Sequence, residues 1–505
     1  MTSPPFILSI NPLDNVGVAL RALARGERSG DIVASEPVPA GHKIALRSIK
    51  AGQSVIKYGY SIGVAKAEIH PGEHIHVQNM ASALEGNIAP RGFIANPNLT
   101  EEHSVVATSV STFDGFRRPN GSVGIRNEIW IINTVGCVNH TATRIAQKAA
   151  SELVFEGSHI DGIYTFNHPF GCSQLGDDLV YTQRLLAGLV NHPNAAGVLI
   201  LGLGCENNQV KKFMEFVEPS ISPRIRCFNA QDVPDEVETG VRLVRELADY
   251  ARQFTRQPIP ASELILGMKC GGSDGLSGIT ANPLVGRIAD KLAAAGGTSI
   301  LCEVPEMFGA EDVLLHRAAN SEVSDATIHL VNAFREYFHR HGEPIDENPS
   351  PGNKEGGITT LAEKSLGCVQ KGGTSPIKQV LDYGQQATAG LGGVALLNGP
   401  GNDGVSGSAL SAAGAHMLLF TTGRGTPMGF PVPTVKIATN TSLAIHKSGW
   451  IDFNAGPFAD GTSTMDSLAD DLFQFVLEVA SGRVRTTTEV SGFREISIWK
   501  DGVTL

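Results

Sequence analysis

At 505 residues, 42% of them hydrophobic, the chain exceeds the usual size of one core and predicts roughly two or three globular domains. A formal charge of -11, with no long basic stretch, excludes the electrostatic footprint of a nucleic-acid or anionic-membrane binder. Seven cysteines without a CxxC pair exclude a disulfide scaffold and leave reduced thiols as the expectation.

The opening MTSPPFILSI lacks a basic region followed by a long apolar run, and the apolar stretch at 195–203 is too short to span a bilayer, so the chain reads as cytoplasmic with no membrane partner. Residues 1–92 hold the alternating stretches KIALRSI, QSVIKYG and HIHVQN between glycine turns and predict a small β-rich domain. Within it, the apolar spacing of VGVALRALA predicts a helix over 15–26. Residues 93–112 are polar and irregular, with Pro90 and Pro97 nearby, and predict a linker.

Over 113–255 the segments NEIWIINTVG, VNHTATRIAQKAASEL, IDGIYTF, DDLVYTQRLLAGLVNH and AAGVLILGLG alternate strand and helix, which predicts a first α/β lobe. The nearly unbroken apolar run of the last fits a parallel strand covered on both faces. FTRQPIP marks a second junction. Residues 256–505 then predict a second α/β lobe, with a helix over 467–481 and a basic, strand-like terminus. The fold class is α/β: a small β-rich N-terminal domain followed by a two-lobed body with parallel-sheet character.

Polar groups collect where predicted strands end, the ligand side of parallel α/β sheets. The densest loop is MKCGGSDGLSGITANP, 268–283, whose glycines admit close approach and whose Cys270, Ser273, Asp274, Ser277, Thr280 and Asn282 can orient hydroxyls or a carboxylate. It is neither a GxxxxGK[ST] nor a GxGxxG loop. FNHPFGCSQ pairs His168 with Cys172, an imidazole that transfers protons near neutral pH beside a thiol suited to iron or zinc. Cys205 and Glu206 precede Asn207 and Asn208, and Cys302, Glu303 and Glu306 lie in LCEVPEM; both give thiol and carboxylate pairs able to take a proton or a metal. Arg424 in TTGRGTPMG offers a donor fork for a carboxylate, with Lys354 and Asp403 as lesser candidates. His74 and His76 share one side of a strand and, with His42, can support a metal. Each has a structural alternative: a turn for the glycine loop, a hydrogen-bonded corner for His168, a salt bridge for Arg424, a surface strand for the histidines, and core packing for Cys227, Cys302 and Cys368.

Taken together, GHKIAL, DGFRRPNGSVGIRNEIWIINTVGCVN, HPFGCSQLGDD, GLGCENNQ, KCGGSDGLSGITANPLVG, EVPEMFGAE, ENPSPGNKEGG and FTTGRGTPMG resemble the altronate and galactarate dehydratase family across practically the whole chain, its altronate branch most of all. The resemblance implies a SAF-type small domain on a dehydratase body. It implies a hydro-lyase of hexuronate catabolism that turns D-altronate into 2-dehydro-3-deoxy-D-gluconate by β-elimination, with galactarate, another sugar acid or a sulfonated hydroxy acid as alternative substrates. It also implies Fe(II) or Mn(II), with an iron-sulfur cluster on Cys137, Cys172, Cys205 and Cys270 as the alternative.

On this reading His168 is the acid or base and Glu206 or Glu303 its carboxylate partner. His42 is catalytic or a ligand if the small domain folds over the body, and Asp274 stands with Cys270 near the metal. Arg424 and Lys354 meet the substrate carboxylate, while Asn207, Asn208, Ser273, Thr280 and Asn282 read hydroxyls. The partner is a small sugar acid, with room for a homo-oligomer and no nucleic acid. A non-catalytic sugar-acid sensor is the rival from another class, and the many polar loops after strands disfavour it.

Overall fold

The computed structural model describes residues 6–84, 86–89, 93, 111–153 and 159–502. The predicted linker over 93–112 falls almost wholly outside them. The small domain is built on two antiparallel sheets. Ile7–Leu8, Val16–Ala19, Lys43–Ala45 and His74–Ile75 form one, and Ser54–Lys57, Tyr60–Ala65 and Met80–Ala81 the other.

The helix predicted over 15–26 is not formed; Val16–Ala19 is an inner strand instead. Val16 and Val18 are β-branched, which favours the pleated form, and all four residues are buried between neighbouring strands. A Cβ on Gly17 would meet Ile7 at 2.4 Å, so the pairing depends on a residue that helical spacing cannot interpret.

The strands of the two body sheets are numbered together. The first sheet holds β1 (Glu128–Asn133), β2 (Gly162–Thr165), β3 (Ala195–Gly202) and β4 (Ile225–Asn229), all parallel, in the order β2-β1-β3-β4. Every residue of β1 and β3 is buried, as their continuous apolar runs require. The second sheet holds β5 (Ile265–Cys270), β6 (Thr298–Leu301), β7 (Ile377–Leu381), β8 (Gly393–Leu397), β9 (Met417–Thr422), β10 (Thr434–Ala438) and β11 (Phe453–Asn454). It is also parallel, in the order β7-β8-β6-β5-β9-β10-β11. Thr112–Arg117 pairs antiparallel with Gln257–Pro260 and so ties the start of one lobe to the start of the other.

The strand expected at the C-terminus is also corrected: residues 487–491 form the short helix Thr487–Ser491. Thr486 and Glu489 close a reciprocal capping box there, and buried Arg126 bonds the Glu489 carboxylate at 2.7 Å, so local capping outweighs the alternation. Among the described residues, no helix is long and apolar enough to cross a membrane.

Candidate functional site at the small-domain and second-lobe junction

The C-terminal ends of β5 and β9 carry loops that sequence reading singled out, and the end of β10 adds Thr439 and Asn440 beside them. The loop after Cys270 meets the small domain at Gly275, where a Cβ would stand 1.9 Å from the Gly41 carbonyl, so glycine is required for the contact. Gly275 N donates to Gly356 O at 2.7 Å, and Asn353 Nδ2 donates to Ser273 O at 2.8 Å. Arg424, on the loop after β9, donates through Nη1 to Gly352 O and to Glu355, both at 3.1 Å. The short helix Pro351–Glu355 is thus the hub on which Ser273, Lys354, Arg424 and the small domain converge.

Three histidines of the small domain stand on that hub. His42 Nε2 lies 3.2 Å from Glu355 O, and His76 Nε2 lies 2.8 Å from Lys354 O. A carbonyl only accepts, so both Nε2 atoms carry the proton and each Nδ1 keeps its lone pair while the ring is neutral. His42 Nδ1 faces His74 Nε2 at 2.9 Å, and the three ring centroids are 5.0 to 5.8 Å apart. Burial, helped by the neighbouring rings and Lys43, lowers the pKa of His42 and takes His74 down to about 4; burial lowers His76 as well. The trio is therefore neutral at pH 7. His42 and His76 each have one nitrogen tied to a backbone carbonyl, as metal-bound histidines often do, but the three rings do not bring one nitrogen each to within 4.8 Å of the others. The expectation that the small domain folds over the body is met at His42.

Behind this face runs a buried chain of acidic and basic groups, in which sequence reading named Glu303, Glu306 and Asp403 but missed Glu363 and the lysines. Glu363 accepts from Lys43 at 2.8 Å and from Lys57 at 2.9 Å. Lys364 pairs with Glu306 at 2.9 Å, and Lys371 lies 2.9 Å from both Glu303 and Cys270 Sγ. Lys269 bonds Glu303 and reaches Asp403 at 2.8 Å. Burial pushes Glu363 up, but Lys43 and Lys57 outweigh it and hold the group at about 2. For Glu303 burial prevails over Lys269 and Lys371, and its pKa is raised.

Cys270, Glu306 and Cys368 each bring a ligand atom to within 4.8 Å of the others, a group that can hold a metal ion. Lys269, Lys364 and Lys371 surround it, each bonded to Glu303 or Glu306. The readable trace of this chain in the sequence is a lysine inside an apolar strand, Lys43 in KIAL and Lys269 in ILGMKC.

Asp274 accepts from Ser277, Thr439 and Asn440 and braces the loop. Thr280 donates to Leu276 O and Thr439 O, and Asn282 bonds Gly367 O and Thr421, so these two buried side chains also hold the loop's shape.

The remaining predicted residues lie on the other sheet. His168 is buried, with Nε2 donating to Asn133 O at 2.9 Å and Nδ1 accepting from Phe170 N at 3.2 Å. Its expected pairing with a carboxylate is not formed. Glu206 is taken up by Thr134 and by the Leu203 and Gly204 amides, and Glu303 by its lysines. Asn208 Nδ2 donates to Thr134 O, and Asn207 accepts from Ser173 N. Cys137, Cys172 and Cys205 are exposed beyond the first sheet, whereas Cys270 is buried in the second, so the four do not form one set. Cys302 and Cys368 are buried as expected, but Cys227 is exposed, because the outer face of edge strand β4 lacks cover.

Three family models match the chain: the altronate/galactarate dehydratase SAF domain over residues 5–83, the D-galactarate dehydratase/altronate hydrolase second domain over 115–252, and the D-galactarate/altronate dehydratase C-terminal domain over 261–504. Among curated proteins, the chain is 47% identical to an altronate dehydratase of Bacillus subtilis (strain 168) and 47% identical to one of Escherichia coli (strain K12), each over 99% of both chains. It is 33% identical to a galactarate dehydratase (L-threo-forming) of Escherichia coli (strain K12), over 97% of this chain and 96% of that one.

Proposed function

The chain belongs to the altronate/galactarate dehydratase family, and on that premise we propose that it is a cytoplasmic hydro-lyase converting D-altronate to 2-dehydro-3-deoxy-D-gluconate and water. The observation that carries the substrate is the gap in identity between its altronate and galactarate relatives, 47% against 33%, at nearly full-length coverage in each case. In the reaction the carbon beside the carboxylate loses its proton, the neighbouring hydroxyl departs as water after protonation, and the resulting enol becomes the 2-keto-3-deoxy acid.

The α-proton is weakly acidic while the carboxylate is ionised, so positive charge at that end of the substrate is the first requirement. Arg424, half-exposed at the rim, supplies a planar fork for the carboxylate, and Lys354 adds a second charge one residue from Glu355. Ser273, on the loop held by Asn353, would read a substrate hydroxyl. Fe(II) or Mn(II) would be held by His42, His74 and His76 once their nitrogens draw closer together, and would supply Lewis acidity to the carboxylate and α-hydroxyl. Thr280, Asn282 and Asp274 keep the loop preorganised, and closure of the small domain at Gly41 and Gly275 screens the junction from water.

The test is product analysis after anaerobic loading with Fe(II) or Mn(II). D-Altronate gives the 2-keto-3-deoxy acid and chelator abolishes its formation; no product from D-altronate under any loading refutes the proposal.

A further inference from the structure

Three free cysteines occupy equivalent places on the first sheet, apart from the site described above. Cys137 follows β1, Cys172 follows β2 and Cys205 follows β3, and these three strands are neighbours in the order β2-β1-β3. Their loops are laced together at the residues next to the thiols. Gly136 N donates to Phe170 O at 2.9 Å, Asn208 N to Gly171 O at 3.0 Å, and Ser173 N to Asn207 Oδ1 at 2.8 Å. A Cβ on Gly171 would stand 2.1 Å from Thr134 O, and one on Gly136 would stand 2.7 Å from His168 O. The backbone beside two of the thiols is in the left-handed region, at Gly171 (φ 101°), Ser173 (φ 57°) and Gly204 (φ 128°). Strain at Ser173, a residue with a Cβ, is maintained only where the surroundings hold it, and such positions gather at functional sites.

Two further observations point to a ligand. Below the thiols, Asn133 Oδ1, Thr165 Oγ1 and Asn208 Oδ1 are buried without a protein hydrogen-bond partner, one from each strand or its following loop. Buried polar atoms are nearly always paired, so three orphans at one sheet edge mark a place where something else is bound. Beside the thiols, Gln231 Nε2 donates to Cys205 Sγ at 3.6 Å, and Cys137 lies in the turn Gly136–Val138 that leads into the helix Asn139–Glu152, at its positive end.

The spacing of the sulfurs excludes a single shared ion. A single tetrahedral ion with metal-sulfur bonds of about 2.3 Å needs sulfurs roughly 3.8 Å apart. These three are not all within 4.8 Å of one another, and three thiols on adjacent, interlaced loops suit a group that carries more than one iron. We propose that Cys137, Cys172 and Cys205 are the three-thiolate socket of a four-iron four-sulfur cluster, whose fourth iron has no protein sulfur. Each thiol gives its proton to solvent as its sulfur binds iron, and the cluster enters without change of oxidation state. The buried His168, bonded across from Asn133 to Phe170, is then a positioning residue that holds two of the three loops in register.

The test uses the full chain, purified without oxygen after expression with iron and cysteine supplied. About four irons and four acid-labile sulfides per chain, with a visible absorption band bleached by dithionite, are expected. Cys172→Ser and Cys205→Ser lose most of the sulfide, while Cys227→Ser, at an exposed thiol on β4, keeps it. If those variants fail to fold, alkylation of the wild-type chain decides: Cys137, Cys172 and Cys205 are protected in the loaded protein and labelled after cluster removal, and Cys227 is labelled in both. Absence of acid-labile sulfide from the anaerobically purified chain, or equal labelling of the three thiols in both states, overturns the proposal.

Discussion

Arg424 contacts Gly352 and Glu355 through one end of its guanidinium, and what it offers a substrate is the planar fork rather than the charge alone. Arg424→Lys keeps the charge and removes the fork; steady-state kinetics are expected to show KM for D-altronate raised about tenfold with kcat within about twofold, the pattern of lost ground-state binding. Glu363 is a different kind of residue, the shared counter-charge of two buried ammonium groups. Glu363→Gln strands them, and breaking such a pair costs about 3–5 kcal/mol, read as a lower urea midpoint. Lys43, already down at about 8, relieves part of that cost by releasing its proton, which puts the expected value at the lower end. Arg424 and the histidines were legible in the sequence because their glycine loops and spacing are local signals. Glu363, Lys57 and Lys371 were not, since their meaning comes from partners hundreds of residues away or on other elements.

At the scale of elements, the parallel strands were the most legible feature, because a strand buried on both faces must be apolar throughout. The two misread segments failed for opposite reasons. VGVA has a helix-like apolar spacing that close packing at Gly17 turns into a strand, and TTTEVS has β-favouring residues that a capping box turns into a helix. That helix is fastened to the first lobe by Glu489 and Arg126. Burial pushes Glu489 up, but Arg126 and the Thr486 amide hold it at about 2, below its ordinary 4.5. A carboxylate lowered on folding stabilises above its unfolded pKa, and the contribution fades as pH falls toward the folded one. Thermal melts of the wild type and Glu489→Gln should therefore differ most at neutral pH and converge between about pH 4.5 and 2; a constant gap would show that the pair contributes no charge-dependent stability.

At the scale of the whole molecule, the proposed substrate site is shared: the small domain brings the imidazoles and the second lobe brings Arg424, Lys354 and the glycine loop. A sequence can name the parts on each side, but their meeting depends on a glycine pair, Gly41 and Gly275, whose contact spans more than two hundred residues. Selectivity follows from the same junction. On the proposed site, a six-carbon acid with one carboxylate would satisfy Arg424, whereas an acid with a second carboxylate would need a second matching charge, a mismatch worth at least about tenfold. The direct measurement is kcat/KM for D-altronate and galactarate side by side on enzyme loaded anaerobically with Fe(II) or Mn(II). A ratio of at least about ten in favour of D-altronate is expected; a preference for galactarate, or turnover of neither acid, contradicts the account.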